Sequence, residues 1–110
     1  MAELLRYPED PITPSRAASI KFHRLKSQWL KERPRSSRLR DLVLSVPYQQ
    51  IIGMGREAVP FLLHELQTAP DHWFWALEMI TCVDPVPDEA RGDADRMTEA
   101  WLQWAANNEW

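Results

Sequence analysis

The chain has 110 residues, 45% of them apolar and 26% charged, with a formal net charge of −3; that suits one soluble globular domain. No apolar run nears the roughly 18 to 20 residues of a membrane-spanning helix, and no basic-then-apolar export signal opens the sequence. Cys82 is the single cysteine, which excludes an internal disulfide and a Cys-rich zinc site and leads to the expectation of a cytoplasmic protein.

Residues 1–14 hold Pro8, Pro11 and Pro14 with little periodicity, which predicts an irregular leader ahead of one helical domain over 15–110. Ser15 is a suitable N-cap for a helix running to about Glu32. Ala18, Phe22, Leu25 and Trp29 recur at helical spacing on one stripe. Lys21, Arg24, Gln28 and Lys31 fall towards the opposite side. Arg33-Pro34-Arg35 ends this helix, because the residue before a proline disfavours the helical region. Ser36 and Ser37 then cap a short helix carrying Leu39, Leu42, Val43 and Val46. Pro47 suits the first turn of the next helix, over 48–52, with Ser45 or Val46 at the cap. Gly53-Met54-Gly55 breaks it.

A further helix over 56–67 places Val59, Leu62, Leu63 and Leu66 on its buried side, with Pro60 early enough that its missing N–H costs little. Asp71 is the expected N-cap of a helix over 72–81 that is apolar almost all round. Residues 83–93, with Pro85 and Pro87, read as a loop. Asp93 then caps a last helix from 94 to about 107, in which Met97, Trp101 and Trp104 repeat at four and three. No alternating strand pattern competes. The expected fold is all-α: a compact bundle of about four to five helices, with Trp73, Trp101 and Trp104 packed together.

Residues Gln50-Ile51-Ile52-Gly53-Met54-Gly55-Arg56-Glu57-Ala58-Val59-Pro60, followed by Phe61-Leu62-Leu63-His64-Glu65-Leu66 and then Trp73 to Ile80, resemble a HEAT-type helical repeat. The likeness is to the short bacterial form, in which an isoleucine–glycine, then alanine–valine–proline turn joins two antiparallel helices. Across 29–110 the chain is similar to an uncharacterised family of small bacterial proteins. The blocks that carry this likeness are Tyr48-Gln49-Gln50 running into Ile51-Ile52-Gly53-Met54-Gly55, Pro70-Asp71-His72-Trp73-Phe74-Trp75-Ala76-Leu77, and Ala100-Trp101-Leu102-Gln103-Trp104. The resemblance implies a bundle with one HEAT-like helix pair and flanking helices acting as caps, since solenoids usually need about three repeats. It brings no catalytic residues.

The motifs of chemistry favour structural readings. His64-Glu65-Leu66-Gln67-Thr68 begins like a zinc-protease helix, but Thr68 stands where the second histidine is needed. His64 and Glu65 are therefore expected on the wet side of their helix. His23, His64, His72 and Cys82 are too scattered for a local ligand set, and Cys82 reads as a small apolar residue ending a buried helix. Asp93 and Asp95 sit at a helix start, where negative charge is favoured. Gly53-Met54-Gly55 lacks the strand and third glycine of a phosphate loop. No catalytic, cofactor-binding or metal residue is assigned.

Charge is the strongest remaining signal. Residues 1–40 carry ten Lys/Arg and four Asp/Glu, whereas 41–110 carry three and twelve. Between Arg16 and Arg40 nine cations face a single acid, Glu32. Such a run is a solvated face, a surface for acidic protein (this chain's own 41–110 included), or a phosphate-binding segment. The candidate partner-binding residues are Arg24, Lys31, Arg33, Arg35, Arg38 and Arg40, with Trp75 as an apolar anchor. On the helix over 72–81, Trp73, Ala76, Leu77 and Ile80 share one face, and Trp75, Met79 and Cys82 another. Both faces are expected in the core, and an exposed Trp75 would mark an interface. The expected function is a non-enzymatic interaction module that docks on a larger bacterial protein, of antitoxin, immunity or defence-accessory type. The alternative is a nucleic-acid-associated protein using residues 16–40.

Overall fold

The computed structural model describes residues 15–33, 38–68 and 71–110. Six α-helices follow one another: α1 (Arg16–Lys31), α2 (Leu39–Val43), α3 (Val46–Gly53), α4 (Val59–Thr68), α5 (Phe74–Thr81) and α6 (Ala94–Asn107). Single 3-10 turns precede α4 (Gly55–Ala58) and α6 (Asp88–Ala90). The described residues contain no strand, so the fold is all-α as expected, with six helices in place of four or five. The leader over 1–14, the caps Ser36 and Ser37, and Arg35 lie outside the described residues.

The expected stripe of α1 is its buried face: Ala18, Phe22, Leu25 and Trp29 are all inside. The Ser15 hydroxyl accepts the Ala18 N–H at 2.9 Å and so satisfies one of the first-turn donors. At the other end, the Trp29 indole N–H donates to the Leu42 carbonyl at 2.8 Å and ties α1 to α2. Helix α3, with Pro47 in its first turn, packs along α1 and α5. Gly55 then takes a left-handed φ of 69°, open to glycine without a Cβ penalty, and turns the chain.

Helix α4 begins three residues later than the spacing suggested. A helix starting at Arg56 would need an N–H from Pro60 to satisfy the Arg56 carbonyl, and proline has none. The chain makes a 3-10 turn instead, and Pro60 falls in the first turn of α4. Val59, Leu62, Leu63 and Leu66 are buried as expected. Glu65 is not on the wet side: it is 5% exposed and accepts a bond from Lys26 Nζ on α1 at 2.8 Å. His64 does face water.

Asp71 does not cap α5, which starts at Phe74 with Trp73 at its N-cap and no side-chain cap bond from that residue. The missing acceptor comes from α3. The Tyr48 hydroxyl accepts the Ala76 N–H at 3.0 Å and donates to the His72 carbonyl at 2.7 Å. Burial raises the Tyr48 phenol pKa well above its ordinary value, against the opposing pull of the Ala76 N–H. At the far end Cys82 adopts a left-handed φ of 61° and is exposed, so it closes the helix and is not a core residue. In α6, Asp93 accepts the Arg96 N–H at 3.2 Å, as its position predicts.

The aromatic rings form two groups where one was expected. Trp73 packs on Trp29, Tyr48 and Phe22, with centroids 4.7, 5.6 and 6.1 Å away. Trp101 meets Trp104 at 5.3 Å, and Trp104 meets Trp110 at 6.5 Å. The reason is the direction of α6: its contacts run to α4, while the Trp73 end of α5 faces α1 and α3.

Candidate interaction surfaces

The basic segment divides into three parts. The first is spent internally. Lys26 pairs with the buried Glu65, and Arg33 Nη2 donates to Asp71 Oδ1 at 2.8 Å. The Arg33 guanidinium also lies over the Trp29 ring, 4.1 Å from its centroid, a cation–π contact. Asp71 Oδ1 accepts the His72 N–H too, so one carboxylate joins the end of α1 to the start of α5. Arg33 is thus a clamp within the fold.

The second part faces outward between α1 and α3. Lys21, Arg24 and Leu25 on one side and Gln49, Gln50 and Gly53 on the other line a shallow groove of about 530 Å³. Lys21, Arg24, Gln49, Gln50 and Gly53 are all exposed. Neither Lys21 nor Arg24 has an acidic partner among the described residues. A Cβ built on Gly53 meets nothing within 4 Å, so the groove floor has room at that position. Lys31 is exposed in the last turn of α1.

The third part borders a different groove. Leu39, flanked by the exposed Arg38 and Arg40, forms one wall. His72, Phe74, Trp75 and Glu78 of the α5 region, with Gly92, Ala94 and Met97, complete a volume of about 390 Å³. Leu39 is 48% exposed and Trp75 38%, so the second face of α5 is open and is not part of the core. Glu78 has its pKa raised, first by burial and then by Asp84, with Arg91 opposing. Asp84 is held below its ordinary value mainly by its hydrogen bond from Arg91, which also reaches Asp88 and the Val86 carbonyl. That staple keeps the 83–93 loop, and with it Gly92, at the groove.

The predicted constellation is therefore separated: Arg24 on one surface, Arg38, Arg40 and Trp75 on another, and Arg33, half-buried, tied to Asp71 past the end of α1. Arg35 is outside the described residues. Sequence reasoning missed Gln49, Gln50 and Gly53 as companions of Arg24, because their helix was read for its turn. It also missed Leu39 as a surface residue. Its only sequence signal is an apolar side chain held between two arginines.

Among the described residues no three His, Cys, Asp or Glu side chains gather as metal ligands, and no helix is long and apolar enough to cross a membrane. Set against protein-family models, curated proteins and solved structures, the chain matches none of them.

Proposed function

We propose that this chain is a non-enzymatic interaction module whose α1–α3 face seats an acidic segment of a larger protein. One observation carries the reading: Lys21 and Arg24 lie exposed in a groove with no acidic partner among the described residues, although Lys26 on the same helix has one. Charges of one sign on an open surface contribute little to stability, but they steer encounter and fix orientation. The Gln50 amide, and the Gln49 N–H not spent on the Val43 carbonyl, offer neutral donors beside them. The HEAT-like resemblance of α3 and α4 belongs to the same proposal, since helical repeats bury one face and present another for binding. So do a cytoplasmic setting, which rests on the single cysteine and the absence of an export signal in the sequence, and the antitoxin, immunity or defence-accessory type, which rests on analogy with other small bacterial proteins.

The test uses the full chain as bait beside two variants, Lys21→Glu with Arg24→Glu, and Gly53→Glu. The wild type should retain a protein that both variants lose, with an association rate that falls as salt is added. A Cβ at Gly53 meets nothing within 4 Å, so Gly53→Glu adds a carboxylate at the groove without a clash at that carbon, and an unchanged circular dichroism spectrum separates lost binding from misfolding. Equal retention by all three proteins refutes the reading. Electrophoretic shifts of nucleic acid decide the alternative: four exposed cations of α1, Arg16, Lys21, Arg24 and Lys31, give a log–log salt slope near −4 for about four phosphates. A shift with that slope, abolished by the same variants, would replace a protein partner with a phosphate backbone.

A further inference from the structure

The α1–α3 groove has an occupant of matching charge in the chain itself. The groove is lined by two cations, Lys21 and Arg24, and by no acid. The acids of residues 1–40 are Glu3, Glu9, Asp10 and Glu32, so three of the four precede α1, in the leader. Glu9 and Asp10 are neighbours in sequence, which puts two negative charges at one place along the chain. Lys21 and Arg24, three residues apart on α1, do the same for positive charge. Lys21 lies six residues beyond Ser15 and Arg24 nine, or about 9 and 14 Å along the helix. The five residues from Asp10 to Ser15 extend to about 17 Å, enough to reach both. Arg16 is nearer still, yet Ala17 to Ile20 supply no second cation beside it.

The apolar residues match as well. Ile20, one turn before Arg24, is 63% exposed on the outer side of α1. Ile12 is the one large aliphatic side chain between Asp10 and Ser15. Pro11 and Pro14 fix φ on either side of it, so ordering this stretch costs less entropy than ordering a freer one. We infer that residues 9–14 fold back over the α1–α3 groove, with Glu9 and Asp10 on Lys21 and Arg24, and that an acidic partner displaces them to bind. The displacement rests on the partner reading given above; the docking does not. So short a tether holds the acid pair at an effective concentration on the order of millimolar. Exposed ion pairs are individually weak. The leader therefore keeps stray carboxylates out of the groove and yields to a longer acidic segment.

Nuclear magnetic resonance of the full chain tests this beside the neutral variant Glu9→Gln with Asp10→Asn, whose changes lie ahead of the Ser15 cap. The backbone amide signals of Lys21, Arg24, Gln50 and Gly53 should differ between the two proteins at low salt. The difference should be the same at every protein concentration, and should shrink in 0.5 M salt, where charges are screened within roughly 4 Å. A synthetic peptide of residues 8–14, capped at both ends, should move the same signals. It should bind the variant about threefold or more tightly than the wild type, whose groove is already occupied. In a chain carrying Lys21→Glu and Arg24→Glu, the leader substitutions should leave Gln50 and Gly53 unmoved; if those signals still move, the cations are not what holds the leader and the inference falls. Identical signals in wild type and neutral variant, with the peptide bound equally by both, would overturn the docking and leave the groove open to a partner. A peptide bound by neither would overturn it too, while the bait experiment with Lys21→Glu and Arg24→Glu still judges the partner reading by itself. A difference that grows with protein concentration would give the groove to the leader of a second copy, and so overturn folding back within one chain.

Discussion

Lys26 on α1 and Arg33 just past its end spend their charge on carboxylates of the fold, whereas Lys21 and Arg24, also on α1, leave theirs in water. The four differ little in chemistry. They differ in what faces them: Glu65 from α4 and Asp71 ahead of α5 for the first two, and the amides of α3 for the others. These four cations are therefore two pairs, one tied to carboxylates of the bundle and one exposed to water. A count of charges could not separate them.

The comparison breaks most visibly at Trp29, the platform beneath Arg33. Trp29→Ala removes a fully buried ring, its tilted contacts with Trp73 and Tyr48, the bond to the Leu42 carbonyl and the surface on which Arg33 lies. A loss of about 3 to 5 kcal/mol is expected in urea unfolding. A loss below about 1 kcal/mol would place the ring outside the core.

Next in size is the inward pair itself. Lys26→Met leaves the Glu65 carboxylate buried without its donor and should cost about 1 to 3 kcal/mol. Adding Glu65→Leu should return most of that loss, because an apolar pair of similar volume is often as good as a buried ion pair. If the double variant is no better than the single one, the Lys26–Glu65 contact is not what the substitution breaks.

Some of this was legible in the sequence. The α1 stripe, Ser15 and Asp93 were found because helical period and capping are local properties, set within four residues. The outward side of α1, with Lys21 and Arg24, followed from the same period. Glu65 and Asp71 were misread because their roles depend on cations 39 and 38 residues earlier in the chain. The capping role of Tyr48 was not found for a similar reason: it caps a helix that starts well downstream, on a different element. Trp75 was ambiguous because a helix apolar on both faces has no intrinsic outside. Only the position of α2 and the 83–93 loop decides which face stays open.

Tyr48 gives the third and smaller effect. Tyr48→Phe removes the acceptor for the Ala76 N–H and should cost about 0.5 to 2 kcal/mol, the usual range for a lost N-cap. The same phenol sets an alkaline limit. Its pKa is raised in the folded state, so the unfolded chain loses the proton first and stability falls as pH rises above the ordinary tyrosine value of 10.0. Below that value both states keep the proton and this dependence vanishes. Urea midpoints of wild type and Tyr48→Phe should therefore converge with rising pH in the alkaline range. Parallel curves would mean that the Tyr48 phenol ionises as easily in the folded protein as in the unfolded chain.

The smallest expected effect is the one that defines the outer face. Lys21→Ala and Arg24→Ala remove no ion pair among the described residues, and alanine is at least as good a helix former as either residue. Their urea midpoints should shift by no more than the equivalent of about 0.5 kcal/mol, singly or together. The two substitutions add because neither disturbs a shared partner among the described residues. If either costs as much as Lys26→Met, that cation is held by the fold and not displayed by it. The contrast between cations spent on the fold and cations left in water would then fail at that residue.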